Sequence, residues 1–564
     1  MITPLAFPVT SDEMHFTIPD LVTSIITEFV SHGTRGSLVR EPLTVCKLWA
    51  DISMDLIWYQ IDDPSAIFRL LAPVEDRSVD GDVLYDWDCM SVKSDKALPM
   101  PSGWARFDLY KHRVRVLEDA TYTNYHSVMS DIAVLGLDST VFLPNLTDLS
   151  WLYIQDEVWR DSVFMHEGIE TFTLMLELRD PGISEPILPY FEHIAARMPR
   201  LQSFTLHLGS RHEAYQGHLK LALSWLLPKL QFLKVLELTP ILDSDLYDVT
   251  SSTASLPNIE NIDARINKYM SRSLVIASPP TSPITLSCKL RSLSLEISYF
   301  DAAAYFLSTE FPVMTKLSLQ SYKPESRKST RTLTRTISLR CKFLRDISLI
   351  SDAFVSTANE HDLPPDGHIT LTDIQSLFHC RNVVRFSVYH ACPLPLTNDD
   401  IKNILQNWDT LKEPFLNPSP TYLLPSDVSH PYPDWETLAV IAEHSGHLEG
   451  LGIYLNGFAE VPPRASMQSL PKLMRLKVGT SELPSKTKDA ARFLNHAGWD
   501  DLSRLLQSFI RARVEEKERC NWTGEEQKSA LTKKMTAMPY LRAYNQHRKA
   551  RRWGKATNLK ATDA

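Results

Sequence analysis

Glycine is scarce in this chain, 18 residues in 564, against a usual share of about 7%. That disfavours architectures built on glycine-rich phosphate loops. G-x-S-x-G, G-x-x-x-x-G-K-[ST] and H-E-x-x-H are all absent. The 18 histidines show no ligand spacing on one helix. The seven cysteines, Cys46, Cys89, Cys288, Cys341, Cys380, Cys392 and Cys520, contain no C-x-x-C, and their number is odd. A disulfide framework or zinc module is therefore not expected, and a reducing compartment, cytoplasm or nucleus, is. "MITPLAFPVTSDEM" lacks the basic start and apolar core of a signal peptide, and no apolar run approaches the roughly 18 residues of a membrane span. With a net charge of −9, bulk electrostatics do not suit nucleic acid. No enzyme, metal or cofactor is expected, and no membrane association.

What the chain has is material for a large core, 43% hydrophobic residues, and internal repetition. Apolar residues at i, i+3 and i+5 occur in "LTDLSW" (Leu146), "IETFTL" (Ile169), "LQSFTL" (Leu201), "LKVLEL" (Leu233) and "LRSLSL" (Leu290). They recur in "MTKLSL" (Met314), "LRDISL" (Leu344), "VVRFSV" (Val383), "LEGLGI" (Leu448) and "LMRLKV" (Leu473). "IENIDA" at Ile259 and "LKEPFL" at Leu411 read as worn copies. Starts are about 23 to 39 residues apart, which fits or slightly exceeds the period of leucine-rich repeats.

The last two apolar residues of each copy are two apart, so both point to one face of a short strand. One unit cannot bury that face alone, but stacked units share a continuous core. "LTDIQSLFHCRN", "LTNDDIKNILQNWDT" and "WETLAVIAEHSGH", each before a copy, read as helices. The pattern predicts an α/β fold, an irregular solenoid with parallel strands on the inner face and helices outside. Between the paired apolars stand Thr205, Ser294, Ser318, Ser348 and Ser387, a column expected to face outward. Only Asn456 occupies the usual asparagine position after the last leucine, so irregular repeats are expected. Strand alternation also turns His207, Glu237, Glu296, Gln320 and Asp346 outward. Lys316, Arg385, Tyr389, Tyr454, Arg475 and Lys477 are the candidate substrate-binding residues on that face. Its cations gather toward the C-terminal repeats, which suits an acidic or phosphorylated segment. A solvated charged face is the plainer alternative.

The N-terminal stretch "FTIPDLVTSIITEFV" puts Leu21, Val22, Ile25, Ile26, Phe29 and Val30 on one helical face. Pro19 fits a first turn. "LTVCKLWADIS" follows with Val45 and Trp49 at helical spacing. Two short helices cannot bury so much apolar surface alone. The order of an Ile-Pro start, an aliphatic helix, V-C-K-x-W and the aromatic Trp58 resembles an F-box over His15 to Gln60. Two glycines in "SHGTRGSLVREP" and Pro42 depart from the F-box pattern, so the second helix is expected to start late. "DDPSAIFRLLAP" and "WARFDLYKHRVRVL" further resemble the linker of mushroom-type F-box proteins with degenerate leucine-rich repeats. The resemblance implies a substrate receptor of a Skp–cullin–F-box ubiquitin ligase. Ile18, Pro19, Leu21, Ile25, Ile26, Phe29, Val45, Cys46 and Trp49 would bind the Skp-family adaptor, and through it a cullin ligase. The repeats would hold a protein substrate. The alternative is a repeat scaffold without a ligase role, or a helical hairpin that merely caps the solenoid.

The expected organisation is a flexible N-terminus (1–14), the F-box (15–60), a linker packing between F-box and repeats (61–140), the repeats (141–480), a C-terminal helical cap (481–520) and a basic tail (521–564). The Pro/Ser-rich stretches 276–287 and 413–435 read as loops between repeats. The tail's cluster of Arg548, Lys549, Arg551, Arg552 and Lys555 suits an import signal or a weak anionic-surface binder, with a merely solubilising end as the plainer alternative.

Overall fold

A computed structural model describes residues 23, 46–71, 101–118, 141–154, 161–177, 187–208, 216–241, 252–253, 256–266, 284–285, 289–321, 324–351, 368–420, 431–456 and 472–478. The chain divides into two compact units, one of residues 1–391 with 407–411, the other of 392–406 with 412–564.

In the first unit, every apolar i, i+3, i+5 copy becomes a strand. The sheet holds β1 (Gln60–Ile61), β2 (Val116–Glu118), β3 (Asp148–Ile154), β4 (Thr171–Glu177), β5 (Ser203–Leu208), β6 (Val235–Ile241) and β7 (Asn261–Ile266). After a short strand β8 (Ile284–Thr285) come β9 (Ser292–Glu296), a second short strand β10 (Thr309–Glu310), β11 (Lys316–Gln320), β12 (Asp346–Ser351) and β13 (Arg385–His390). Sheet order follows chain order, and β8 pairs with β10 apart from it. All pairings are parallel, as the solenoid reading requires.

The register places like positions side by side. Leu149, Phe172, Phe204, Leu236, Ile262, Leu293, Leu317, Ile347 and Phe386 form one inward column. Trp151, Leu174, Leu206, Leu238, Ala264, Leu295, Leu319, Leu349 and Val388 form the next, and nearly all of these residues are sealed from solvent. At about 1.5–3 kcal/mol per fully buried large side chain, these two columns supply the main cohesion between repeats. Ile259 and Ile262 of the worn copy "IENIDA" are as buried as the rest.

The helices form the second layer: α1 (Lys47–Tyr59), α2 (Ser65–Leu71), α3 (Pro101–Tyr110), α4 (Ile187–Arg197), α5 (Gln216–Leu226), α6 (Tyr299–Ser308), α7 (Arg327–Arg340) and α8 (Leu371–Ile374). The stretch expected as a linker belongs to the same sheet core. Val114 and Leu117 are buried at β2, and Phe68, Phe107, Phe142, Phe164 and Trp151 stack into one aromatic cluster.

The missing asparagines are replaced by a repeated backbone device. At the entries of β3–β7, β9 and β11–β13 one carbonyl accepts two consecutive N–H groups from the next repeat. Arg115 O takes those of Thr147 and Asp148, and Glu170 O those of Gln202 and Ser203. Lys234, Arg291 and Arg345 carbonyls repeat the pattern. A carbonyl has two lone pairs and can take both N–H groups; side chains close further turn bonds, Asn145 donating to His112 O at 2.7 Å and Asn258 to Gln231 O at 3.0 Å. Repeat length is then free to vary.

The second unit contains α9 (Asn398–Asn407), which ends at the boundary residue, β14 (Glu413–Leu416), α10 (Trp435–His444), β15 (Gly450–Ile453) and β16 (Arg475–Lys477). β14, β15 and β16 pair in parallel. Asp434 caps α10 through a reciprocal bond pair with Thr437. Glu413–Leu416 was also expected within a Pro/Ser-rich loop; it is a strand, and the worn copy "LKEPFL" is the better description. After it Asn417 turns the chain at φ 52°, a conformation asparagine tolerates, and its side chain donates to Cys392 O at 2.7 Å.

Candidate functional site

The outward strand face of the first unit is built from the residues between and beside the buried pairs. Its central column runs Glu118, Ser150, Thr173, Thr205, Glu237, Asp263, Ser294, Ser318, Ser348 and Ser387, each the Cα partner of the next. The hydroxyl column expected from the sequence is continuous and half-exposed across β9, β11, β12 and β13, whereas Thr205 of β5, also expected outward, is buried at 1% exposure. Short side chains suit adjacent strands only about 4.8 Å apart. Glu237 and Asp263 stand side by side within it.

Among the candidate substrate residues, Lys316 and Arg385 are exposed and flank Asp346 in one row. Arg385 binds Asp346 through Nε at 3.1 Å and Nη2 at 3.0 Å. Its charge is thus partly neutralised on its own sheet. Tyr389 is half-buried, and burial raises its phenol pKa, so it presents a neutral hydroxyl. Glu296, expected outward, is buried at 3% exposure.

In the second unit, Arg475 donates to Glu413 Oε1 at 2.5 Å. Lys412 binds Glu449 at 2.6 Å, and that bond holds the exposed Glu449 carboxyl below its usual range. Tyr454 meets Tyr432 edge-on at 6.5 Å; burial, with Cys392 and Tyr454 nearby, pushes Tyr432 up to about 12. Lys477 is exposed. Within each unit, described strand-face cations such as Arg385 and Arg475 are interleaved with carboxylates.

Of the candidate adaptor residues, Ile18, Pro19, Leu21, Ile25, Ile26, Phe29 and Val45 lie outside the described residues. Cys46 is an exposed free thiol at the N-cap of α1, and Trp49 is half-buried in its first turn. The helix does start after Pro42, as the proline's position predicts. It shows Leu48 at 38%, Ile57 at 37% and Tyr59 at 47% exposure. It is held to the repeats by Trp58, stacked on Tyr110 at 4.7 Å, and by Arg113, which bonds Asp51 O at 3.1 Å and the Asp55 carboxylate. Tyr59 ends the helix and Gln60 begins β1 with no residue between them.

Two charged assemblies were not anticipated. At the C-terminal ends of β11–β13 the inward column turns polar, with Ser321, Ser351 and His390 all fully buried. There Glu325 accepts from Ser321 Oγ at 2.6 Å, Tyr299 N at 2.9 Å and Ser329 Oγ at 2.8 Å. Burial, then the nearby Glu325, raises the Tyr299 phenol well above its ordinary value. With Tyr299, Ser321 and Glu325 buried, this network ties α6 and α7 to the sheet.

The second assembly is α7 itself. Residues 326–345 carry seven cations and no acidic residue, a signal readable in the sequence and passed over there. Among the described residues no group of His, Cys, Asp or Glu is placed to hold a metal, and no helix is long and apolar enough to cross a membrane.

Stacked strand–helix units in parallel register define an α/β repeat protein. No family model and no curated protein matches the chain. Among solved structures it is similar to one described as the crystal structure of the Rad7 and Elc1 complex in yeast, at 14% identity and a TM-score of 0.30, covering 64% of this chain and 78% of that one.

Proposed function

We propose that the chain is the substrate-recognition subunit of a Skp–cullin–F-box ubiquitin ligase. Its N-terminal stripe (Ile18, Pro19, Leu21, Ile25, Ile26, Phe29) with Val45, Cys46 and Trp49 binds a Skp-family adaptor. The outward strand face holds a protein substrate. No bond is made or broken on this chain; it works by position in the cytoplasm or nucleus.

The observation that carries the reading is α1. It belongs to the F-box-like stretch, leaves Leu48, Ile57 and Tyr59 exposed, and passes directly into the first strand of the repeat sheet. A helix so joined holds an adaptor at a fixed distance from the strand face, as ubiquitin delivery requires. Charge introduced into an apolar interface is strongly unfavourable. Leu21→Asp with Ile25→Asp is therefore expected to abolish capture of a purified Skp-family adaptor while the melting temperature stays near wild type. Unchanged capture by the folded double variant removes the ligase reading.

A further inference from the structure

The solvent side of α7 forms one stripe. Lys328, Arg331, Thr332, Arg335 and Leu339 are exposed, and Lys342 and Phe343 continue it past the helix end. These positions follow 3, 4, 7 and 11 residues after Lys328, the spacing of a single helical face. Lys328 to Arg335 spans about 10 Å at 1.5 Å per residue.

This stripe is costly to leave bare. The first turn holds Arg327 and Lys328 with no acidic residue, where the helix dipole already places positive charge. Asp373 takes Arg327 at 3.0 Å and Arg331 at 2.7 Å, and Glu310 lies 3.9 Å from Arg340. Lys328, Arg335 and Lys342 have no carboxylate within ion-pair distance among the described residues.

The C-terminal part of the stripe is apolar. Leu339 is 61% and Phe343 57% exposed. Arg340 Nη2 donates to Leu307 O at 3.0 Å, which sets the 53% exposed Leu307 of α6 beside them. Cations at one end and large apolar groups at the other match an amphipathic partner. They do not match a nucleic-acid backbone, which rewards cations alone and is repelled by a chain of net charge −9.

We propose that this face docks an acidic, amphipathic segment of a partner protein. Its carboxylates meet Lys328 and Arg335, and its apolar side chains cover Leu307, Leu339 and Phe343. The site lies on the helix layer, away from the strand face, and does not depend on adaptor binding.

The test uses the full chain and fluorescence anisotropy with three probes of equal length: a peptide repeating Glu-Glu-Leu-Leu, polyglutamate, and a single-stranded oligodeoxynucleotide. The leucine-containing peptide is expected to bind tightest. Lys328→Glu with Arg335→Glu should weaken it at least about tenfold, with steeper loss in added salt for the wild type. Leu339→Ser with Phe343→Ser should weaken it about threefold or more. All four side chains project into solvent, so melting temperatures should match wild type; if the charge-reversed protein does not fold, Lys328→Gln with Arg335→Gln replaces it. Absent peptide binding, peptide binding indifferent to both pairs of substitutions, or tighter oligonucleotide binding lost in the charge-reversed variant each overturns the proposal.

Discussion

The Arg331 guanidinium donates to Asp373 Oδ1 at 2.7 Å, with the arginine side chain 57% exposed and the aspartate wholly buried. One carboxylate thus joins α7 to α8. Asp373 also caps its own helix by accepting from Thr370 N at 2.9 Å. Burial pushes its carboxyl up, but the Thr370 N–H, Arg331, the Thr370 hydroxyl and Arg327 outweigh it and leave the pKa below the usual value.

A folded-state pKa below the unfolded one means stability present above the unfolded value, about 3.9, and lost as pH falls through the folded value. Asp373→Ala should therefore cost about 1–3 kcal/mol at neutral pH, from the lost bonds to the buried carboxylate and the lost cap. The gap between the urea midpoints of wild type and variant should begin to close as pH falls below about 4 and go on closing through the lowered folded-state pKa. A gap that stays constant with pH would show that the charge is irrelevant.

Gly452 and Phe415 are Cα partners on β15 and β14. A Cβ at 452 would lie 3.1 Å from two carbons of the Phe415 ring and closer still to a third. Gly452→Ala should destabilise the second unit by about 1–3 kcal/mol. Adding Phe415→Ala should cost less than the two single changes summed. Strict additivity would mean that the ring does not pack on the glycine.

The two faces of β11 should respond oppositely to truncation. Leu317 is buried in the inward column, and Ser318 faces outward. Leu317→Ala should cost about 2–5 kcal/mol, and Ser318→Ala less than about 0.5. Equal costs, read from thermal unfolding, would reverse the assignment of the core face.

Thiol reactivity should divide along burial. Burial pushes Cys380 and Cys392 up to about 11, and raises Cys341 further, with Cys380 close by. At pH 8 these three remain protonated and enclosed. Mass-mapped alkylation should label exposed Cys46 first and the three only on unfolding. Labelling of Cys380 as fast as Cys46 would contradict the packing.

Much of the fold was legible because leucines such as Leu293 and Leu295 obey a spacing that only a strand converts into a single face. Strand β2 was missed as a repeat because the third position, after Val114 and Leu117, is Asp119. The strand-face candidates Lys316 and Arg385 were legible as outward residues. Their shared neighbour Asp346 was read as outward too, but its pairing with Arg385 was not, because that contact crosses 39 residues of chain. The basic face of α7 was legible as a charge run and needed only to be counted.

The local pattern by itself determined the strands that carry the i, i+3, i+5 spacing, their inward columns and the serine column between them, because side-chain direction in a strand alternates by bond geometry. Tertiary structure alone decided which charges are spent and which stand free. Arg385, Arg475 and Arg331 find carboxylates on other repeats, whereas Lys328 and Arg335 meet none among the described residues. Electrostatic pairing depends on distance in space, and the register that sets that distance comes from the stacking of repeats, not from the sequence of any one of them.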